Sequence, residues 1–271
     1  MARFVFWNMA RKPQLSLASA IIHQNRVDVF MTAEFGGDGQ SLLDQINTPD
    51  HSFSFIPSNR TEGLALFAST SKCKARLLAD LDRISVYEVR SSEDSHTVLI
   101  FLVHLPSKLY QSPEDQNEIA GVLASDVRRF ENMHGHDRPM VVGDFNLSPF
   151  EHGMIGARQL HGVSSDIVAM QGSRVVRGES YSFFYNPSWS LIANRQSEAS
   201  GTYFYSGSGY YEHFWHTFDQ VLIRPCLQSA FDPESLRIVT MAGSARLLDS
   251  RCKPDKMEAS DHLPIQFDFD L

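Results

Sequence analysis

The stretch Met140-Val141-Val142-Gly143-Asp144-Phe145-Asn146-Leu147-Ser148-Pro149 decides how this chain reads. Its first three residues predict a buried strand that runs directly into Asp144. Gly143 lets the backbone turn sharply after that strand. Residues two apart on an extended segment point the same way, so Asp144 and Asn146 can act on one bound group. A carboxylate in that place can draw a proton, and an amide beside it can orient a water. The plainer alternative is a strand followed by an ordinary Asp/Asn turn.

Working outward, the same arrangement recurs. Apolar strands are predicted at residues 4–7, 27–32 and 97–103, and they end at Asn8, Glu34 and His104. Strand ends are where a rigid scaffold can hold functional groups at one rim. Further strands are expected at 52–56, 63–69, 84–89, 218–223, 236–239 and 265–269, with helices at 15–24, 41–46 and 113–131. Pro113 opens the last helix, with Ser112 as its N-cap. Residues 172–216 are rich in aromatics, glycine and serine with weak periodicity, which reads as a long ordered loop region. A second motif, Ser260-Asp261-His262-Leu263-Pro264, precedes the final strand; Asp beside His can join a metal site or orient an imidazole.

Bulk properties narrow the class. The chain has 271 residues and no obvious linker, so one domain spanning 1–271 is expected. Apolar residues make up 42% and charged residues 21%, which suits a soluble globular protein. Cys73, Cys226 and Cys252 are far apart and match no metal spacing, which argues against a disulfide framework and for a cytoplasmic setting. The N-terminus lacks a signal-peptide pattern, and the longest apolar run, 98–103, is too short to span a bilayer, so no membrane is expected. A net charge of −8 argues against coating nucleic acid by charge alone, but cations bound in an acidic site offset it locally.

Taken together, Asn8, Glu34, His104, Gly143-Asp144-Phe145-Asn146, Phe218-Asp219-Gln220-Val221-Leu222 and Ser260-Asp261-His262 occur in an order that resembles the endonuclease/exonuclease/phosphatase superfamily over nearly the whole chain. That family includes pancreatic deoxyribonuclease, AP endonucleases, inositol polyphosphate 5-phosphatases and neutral sphingomyelinases. The resemblance implies an α/β fold, a four-layer α-β-β-α sandwich of two mainly antiparallel sheets flanked by helices. It implies Glu34 as a metal ligand helped by Asn8, with Asp261 contributing to the metal site. It implies Asp144 as the group that helps activate water, and Asn146 as a phosphate binder that orients the nucleophile. His262 becomes a base or a phosphate binder, supported by Asp219. His104 stands where AP endonucleases carry tyrosine and the deoxyribonuclease, sphingomyelinase and 5-phosphatase branches carry histidine. Glu62 resembles the acid that orients that histidine in the deoxyribonuclease branch.

Carboxylate ligands suit a hard ion such as Mg²⁺, with Mn²⁺ as a substitute ion. The expected function is a Mg²⁺-dependent nuclease cutting DNA or RNA phosphodiesters. In the 172–216 region and just beyond the Tyr203 segment, Trp189 and Trp215 are the expected base contacts, and Arg174, Arg177 and Arg195 the expected phosphate contacts. Packing within a long loop explains most of the other aromatics there. The alternatives are a phosphatase or phosphodiesterase for a small or lipid phosphoester, and a catalytically inactive binding protein of the same fold. No obligate protein partner is implied.

Overall fold

The computed structural model describes residues 1–61, 63–92, 97–109, 111–194, 196–210 and 212–271. Glu62 and Arg195, both singled out from the sequence, lie outside the described residues. The first half runs β1 (Ala2–Asn8), α1 (Leu15–Asn25), β2 (Val29–Ala33), α2 (Gly39–Ile46), β3 (Phe53–Pro57), β4 (Ala65–Ser69), β5 (Cys73–Leu81), β6 (Ile84–Ser91), β7 (Thr97–His104), α3 (Pro113–His134) and β8 (Pro139–Asp144). Shorter elements follow: α4 (His152–Ile155), β9 (Gly162–Val163), α5 (Asp166–Ala169), the hairpin β10 (Ser173–Val176) and β11 (Glu179–Ser182), β12 (Phe184–Tyr185), β13 (Tyr203–Phe204) and β14 (Trp215–His216). The chain closes with β15 (Asp219–Ile223), β16 (Phe231–Ile238), the hairpin β17 (Met241–Ala242) and β18 (Ala245–Arg246), and β19 (Ile265–Phe269).

Two large sheets result, in the orders β16-β19-β1-β2-β4-β3 and β5-β6-β7-β8-β15-β12-β9. Within them β1/β2, β7/β8 and β9/β12 pair in parallel and the other pairs are antiparallel. The layering is written in β7. Val98, Ile100 and Leu102 join the core shared with the six-stranded sheet, whereas Leu99, Phe101 and Val103 join a second core with Leu123, Val127 and Phe130 of α3. A strand covered on both faces reads as a continuous apolar run, which is why 97–103 shows no alternation. Ile21 and Ile22 of α1, and Leu42 and Ile46 of α2, cover the outer face of the six-stranded sheet. The layers are therefore helices, sheet, sheet, helix, the expected four-layer sandwich.

α3 shows how local sequence sets one of these layers. Ser112 accepts from the Asp115 N–H, Asp115 reaches back to the Ser112 N–H, and Pro113 occupies the first turn. The helix buries Ala120, Leu123, Ala124, Val127 and Phe130. Each large apolar side chain buried there contributes roughly 1.5–3 kcal/mol.

Three expectations need correction. β5 was not anticipated, because Cys73–Leu81 is an edge strand of mostly half-buried residues and carries charge along its length. The 172–216 region is not wholly loop: it holds the β10/β11 hairpin, whose turn has positive φ at both Arg177 (51°) and Gly178 (86°), the twist-matched hairpin geometry. Gly143 does not make a turn. It lies inside β8, where a Cβ would sit 2.0 Å from the Val103 carbonyl oxygen, so glycine is required for β7 and β8 to approach.

Candidate active site

Strand register assembles one half of the site. His104 pairs with Asp144 across β7/β8, and Asp144 pairs with Asp219 across β8/β15, so three functional residues lie abreast on adjacent strands. The six-stranded sheet supplies the other half, with Asn8 at the end of β1 and Glu34 one residue past β2. Glu34 has φ 49°, a conformation that is costly for a side chain of its size. Its neighbour Phe35 is fixed there by donating its N–H to the Gly63 carbonyl. At Gly63 (φ 78°), a Cβ would meet the Phe35 nitrogen at 2.4 Å.

Asp144 is the hub, with its side chain 1% exposed. Asn8 donates its Nδ2–H to Asp144 Oδ2 at 2.9 Å, and Asn146 donates its own Nδ2–H to the same oxygen at 3.2 Å. The Asn146 backbone N–H caps Asp144 Oδ1 at 2.8 Å. Asn146 reaches this place through a left-handed kink, φ 50°, and not along an extended segment. Its Nδ2 also donates to the Leu105 carbonyl at 2.9 Å. The two residues do act on one place, but the backbone kink, not strand alternation, brings them together.

His262 and His104 flank this carboxylate. The Nε2 atoms of both lie 3.8 Å from Asp144 Oδ2. That is longer than a hydrogen bond but too short for an atom to lie between, so an oxygen shared by either pair would sit to one side of the line joining them. His262 Nδ1–H donates to Asp219 Oδ2 at 2.8 Å. Burial pulls the His262 imidazole down, but the carboxylates of Asp219, Asp144 and Asp261 outweigh it and push it up to about 10. Burial raises the Asp219 carboxyl in turn, so the proton between the two groups belongs to the pair. Trp7 donates its Nε1–H to the His262 carbonyl at 3.0 Å, and Ser260 donates its hydroxyl to the Asn8 carbonyl at 2.7 Å, so the two motifs at opposite ends of the chain hold each other.

Glu34 Oε1 lies 3.4 Å from His104 Nε2, and Oε2 lies 3.7 Å from Arg11 Nε. This carboxylate opens on a cavity of about 490 Å³ lined also by Arg60, Thr61, Asp82 and Arg83. Asp144, Asp219 and His262 form a cluster whose ligand atoms fall within 4.8 Å, a spacing that can hold a metal ion. For a hard ion, Glu34 is the better donor. Asp219 and His262 are already bonded to each other, whereas Glu34 has only long contacts among the described residues and lines a cavity with room for water and phosphate. Asp261 is half-buried and lines a separate cavity with Tyr203 and Lys253.

The remaining sequence candidates are not brought to this rim. Tyr185, just past the β10/β11 hairpin, pairs with Ile223, which is opposite Met140 at the far end of β8. Four residue-to-residue steps along β15 separate Ile223 from Asp219, roughly 13 Å. Arg174, on that hairpin, donates its Nε–H to His161 Nε2 at 2.8 Å, and Arg177 sits exposed at the hairpin turn. Trp215 packs on Phe204 and against the central core. Trp189 lies edge-on to Phe150, which lines a separate cavity with Pro113 and Gln116. Sequence reasoning missed Arg11, Arg60 and Arg83 as cleft residues, and also Tyr203, whose ring centroid is 4.8 Å from that of His262. The arginines come from three separate turns and share no spacing.

No protein-family model matches the sequence, and no curated protein matches it either. Solved structures do. The catalytic domain of human Nocturnin, with a bound sulfate, is similar at 18% identity and a TM-score of 0.57, over 99% of this chain and 93% of that one. A Neisseria 3′ phosphatase, NExo, bound to a product DNA hairpin, is similar at 16% identity and a TM-score of 0.57, covering both chains in full. An endonuclease/exonuclease/phosphatase family protein from Bacteroides thetaiotaomicron is similar at 13% identity and a TM-score of 0.56, over 100% of this chain and 95% of that one. No helix among the described residues is long and apolar enough to cross a membrane. The four layers, their sheet order and the rim on which Asn8, Glu34, His104, Asp144 and Asp219 meet thus give this chain the fold of the endonuclease/exonuclease/phosphatase superfamily.

Proposed function

We propose that the chain is a Mg²⁺-dependent nuclease that hydrolyses phosphodiester bonds of DNA or RNA. The observation that carries this reading is the convergence of two imidazole Nε2 atoms on one oxygen of a buried carboxylate, each at 3.8 Å. A phosphoryl oxygen or the attacking water could bridge these groups from one side. The fold neighbour bound to a product DNA hairpin supports nucleic acid as the substrate class.

In this reading Glu34, with Asn8 close behind it, holds the ion. Bound Mg²⁺ supplies the charge that polarises the phosphoryl group. Asp144, steadied by the amides of Asn8 and Asn146, takes the proton from the attacking water. His262, protonated through Asp219, donates its Nε2–H to a phosphoryl oxygen and stabilises charge there. His104, between Asp144 and Glu34, holds a second phosphoryl oxygen. Asp261 adds negative charge beside His262.

Purified protein is expected to degrade DNA or RNA with Mg²⁺ or Mn²⁺ and to stop with chelator. Assays of nucleic acids beside soluble phosphomonoesters and lipid phosphoesters separate the nuclease from a phosphatase. Full activity of both Asp144→Ala and His262→Ala would falsify the assignment of the site.

A further inference from the structure

A second cluster of metal-ligand groups lies outside this site, at residues 212–216. Ligand atoms of Glu212, His213 and His216 fall within 4.8 Å of one another. Glu212 Oε1 lies 3.0 Å from His216 Nε2, and the His213 and His216 ring centroids are 4.2 Å apart at an interplanar angle of 62°. His216 is 93% buried from its relative exposure of 7%, and its other ring nitrogen, Nδ1, finds no hydrogen-bond partner among the described residues. An ion shared with Glu212 would take Nε2 and leave Nδ1 as it is, so the case for the site rests on the spacing of the Glu212, His213 and His216 ligand atoms.

We propose that Glu212, His213 and His216 form a binding site for a borderline divalent cation, Zn²⁺. Two imidazoles and one carboxylate match the ligand chemistry of zinc, whereas Mg²⁺ prefers six oxygens. Zinc ligands at 2.0–2.2 Å in tetrahedral array stand about 3.3–3.5 Å apart, so the Glu212–His216 spacing needs only slight opening. Three protein ligands leave a fourth position for water. His213 is exposed and its ring lies 5.5 Å from that of Phe150, while His216 stacks on Phe218 beside Asp219. A bound ion therefore ties an exposed loop residue to a buried one that stacks on Phe218. The site stands apart from the proposed Mg²⁺ centre and does not depend on the nuclease reading.

The test is calorimetric titration of metal-stripped protein with Zn²⁺ in saturating Mg²⁺. Wild type and Asp144→Ala are both expected to bind one Zn²⁺. His213→Ala, an exposed change that leaves the core intact, is expected to lose at least about 100-fold in affinity. Zn²⁺ is also expected to raise the melting temperature of wild type and not that of His213→Ala. The proposal is overturned if wild type takes up no Zn²⁺, if His213→Ala binds as wild type does, or if Asp144→Ala alone abolishes binding.

Discussion

At one end of the seven-stranded sheet, Asp144 is flanked by His104 and His262 at 3.8 Å, too far for a direct hydrogen bond. At the other end, Arg224 is closed in completely. Glu131 takes both its Nε–H and its Nη2–H, at 2.6 and 3.2 Å, Nη1–H donates to the Phe183 carbonyl at 2.9 Å, and the guanidinium lies 4.0 Å over the Phe184 ring. Both ends bury charge. The difference is satisfaction: each guanidinium nitrogen of Arg224 has a partner, whereas the Nε2 atoms of His104 and His262 lie beyond hydrogen-bond distance of Asp144. That contrast is a better guide to function than burial or charge alone, and each end can be broken separately.

The largest effect is expected at the open end. Asp144→Ala should lower kcat about 10²–10⁴-fold, the range for losing a positioned proton acceptor. Its circular dichroism should be unchanged. Wild-type turnover in a folded Asp144→Ala protein would sink the role given to this carboxylate. At the closed end, Glu131→Ala strands Arg224, which is 5% exposed, without its partner. The expected cost is about 3–5 kcal/mol of stability, read as a lower urea midpoint, with kcat of the folded protein retained. An unchanged midpoint, or lost turnover at an unchanged midpoint, would dissolve the contrast between the two ends.

A smaller effect comes from His161, beside the β10/β11 hairpin. Its Nδ1–H donates to the Ser182 carbonyl at 3.1 Å and its Nε2 accepts from Arg174, so the neutral ring satisfies both partners. Burial lowers its pKa from 6.5, Arg174 and Arg224 add to that, and the Ser182 carbonyl opposes it. Below about 6.5 the unfolded chain binds a proton that the folded chain refuses, so stability falls as pH drops through the window beneath 6.5. His161→Gln should flatten that part of the stability–pH curve. An equally steep curve in the variant would assign the acid sensitivity to other groups.

These residues also show what a sequence carries. Asn8, Glu34, His104 and Asp144 were legible because each closes an apolar run, and a strand buried on both faces announces its end sharply. The Asp219–His262 bond was implied by resemblance only, since 43 residues separate its partners. β5 and the β10/β11 hairpin were illegible because solvent faces leave little apolar pattern, as in Ser173-Arg174-Val175-Val176. The cleft arginines were illegible for a different reason. Arg11, Arg60 and Arg83 come from turns that only the stacking of two sheets brings to one cavity.

The smallest predicted effects compare those arginines with the ones the sequence suggested. Arg60 lines the cavity beside Glu34, and its backbone is pinned by its N–H donating to Ser58 Oγ at 3.2 Å. Arg177 is exposed on a hairpin toward the opposite end of the sheet. If phosphates track the open rim, Arg60→Ala should raise KM for nucleic acid several-fold at unchanged kcat. The slope of log affinity against log salt should fall by about one, the loss of a single phosphate contact. Arg177→Ala should change neither. The comparison is sharpest as a salt titration of both variants side by side, because a general loss of positive charge would shift them equally. Equal shifts, or a larger one in Arg177→Ala, would move the substrate path from the Glu34 cavity to the hairpin.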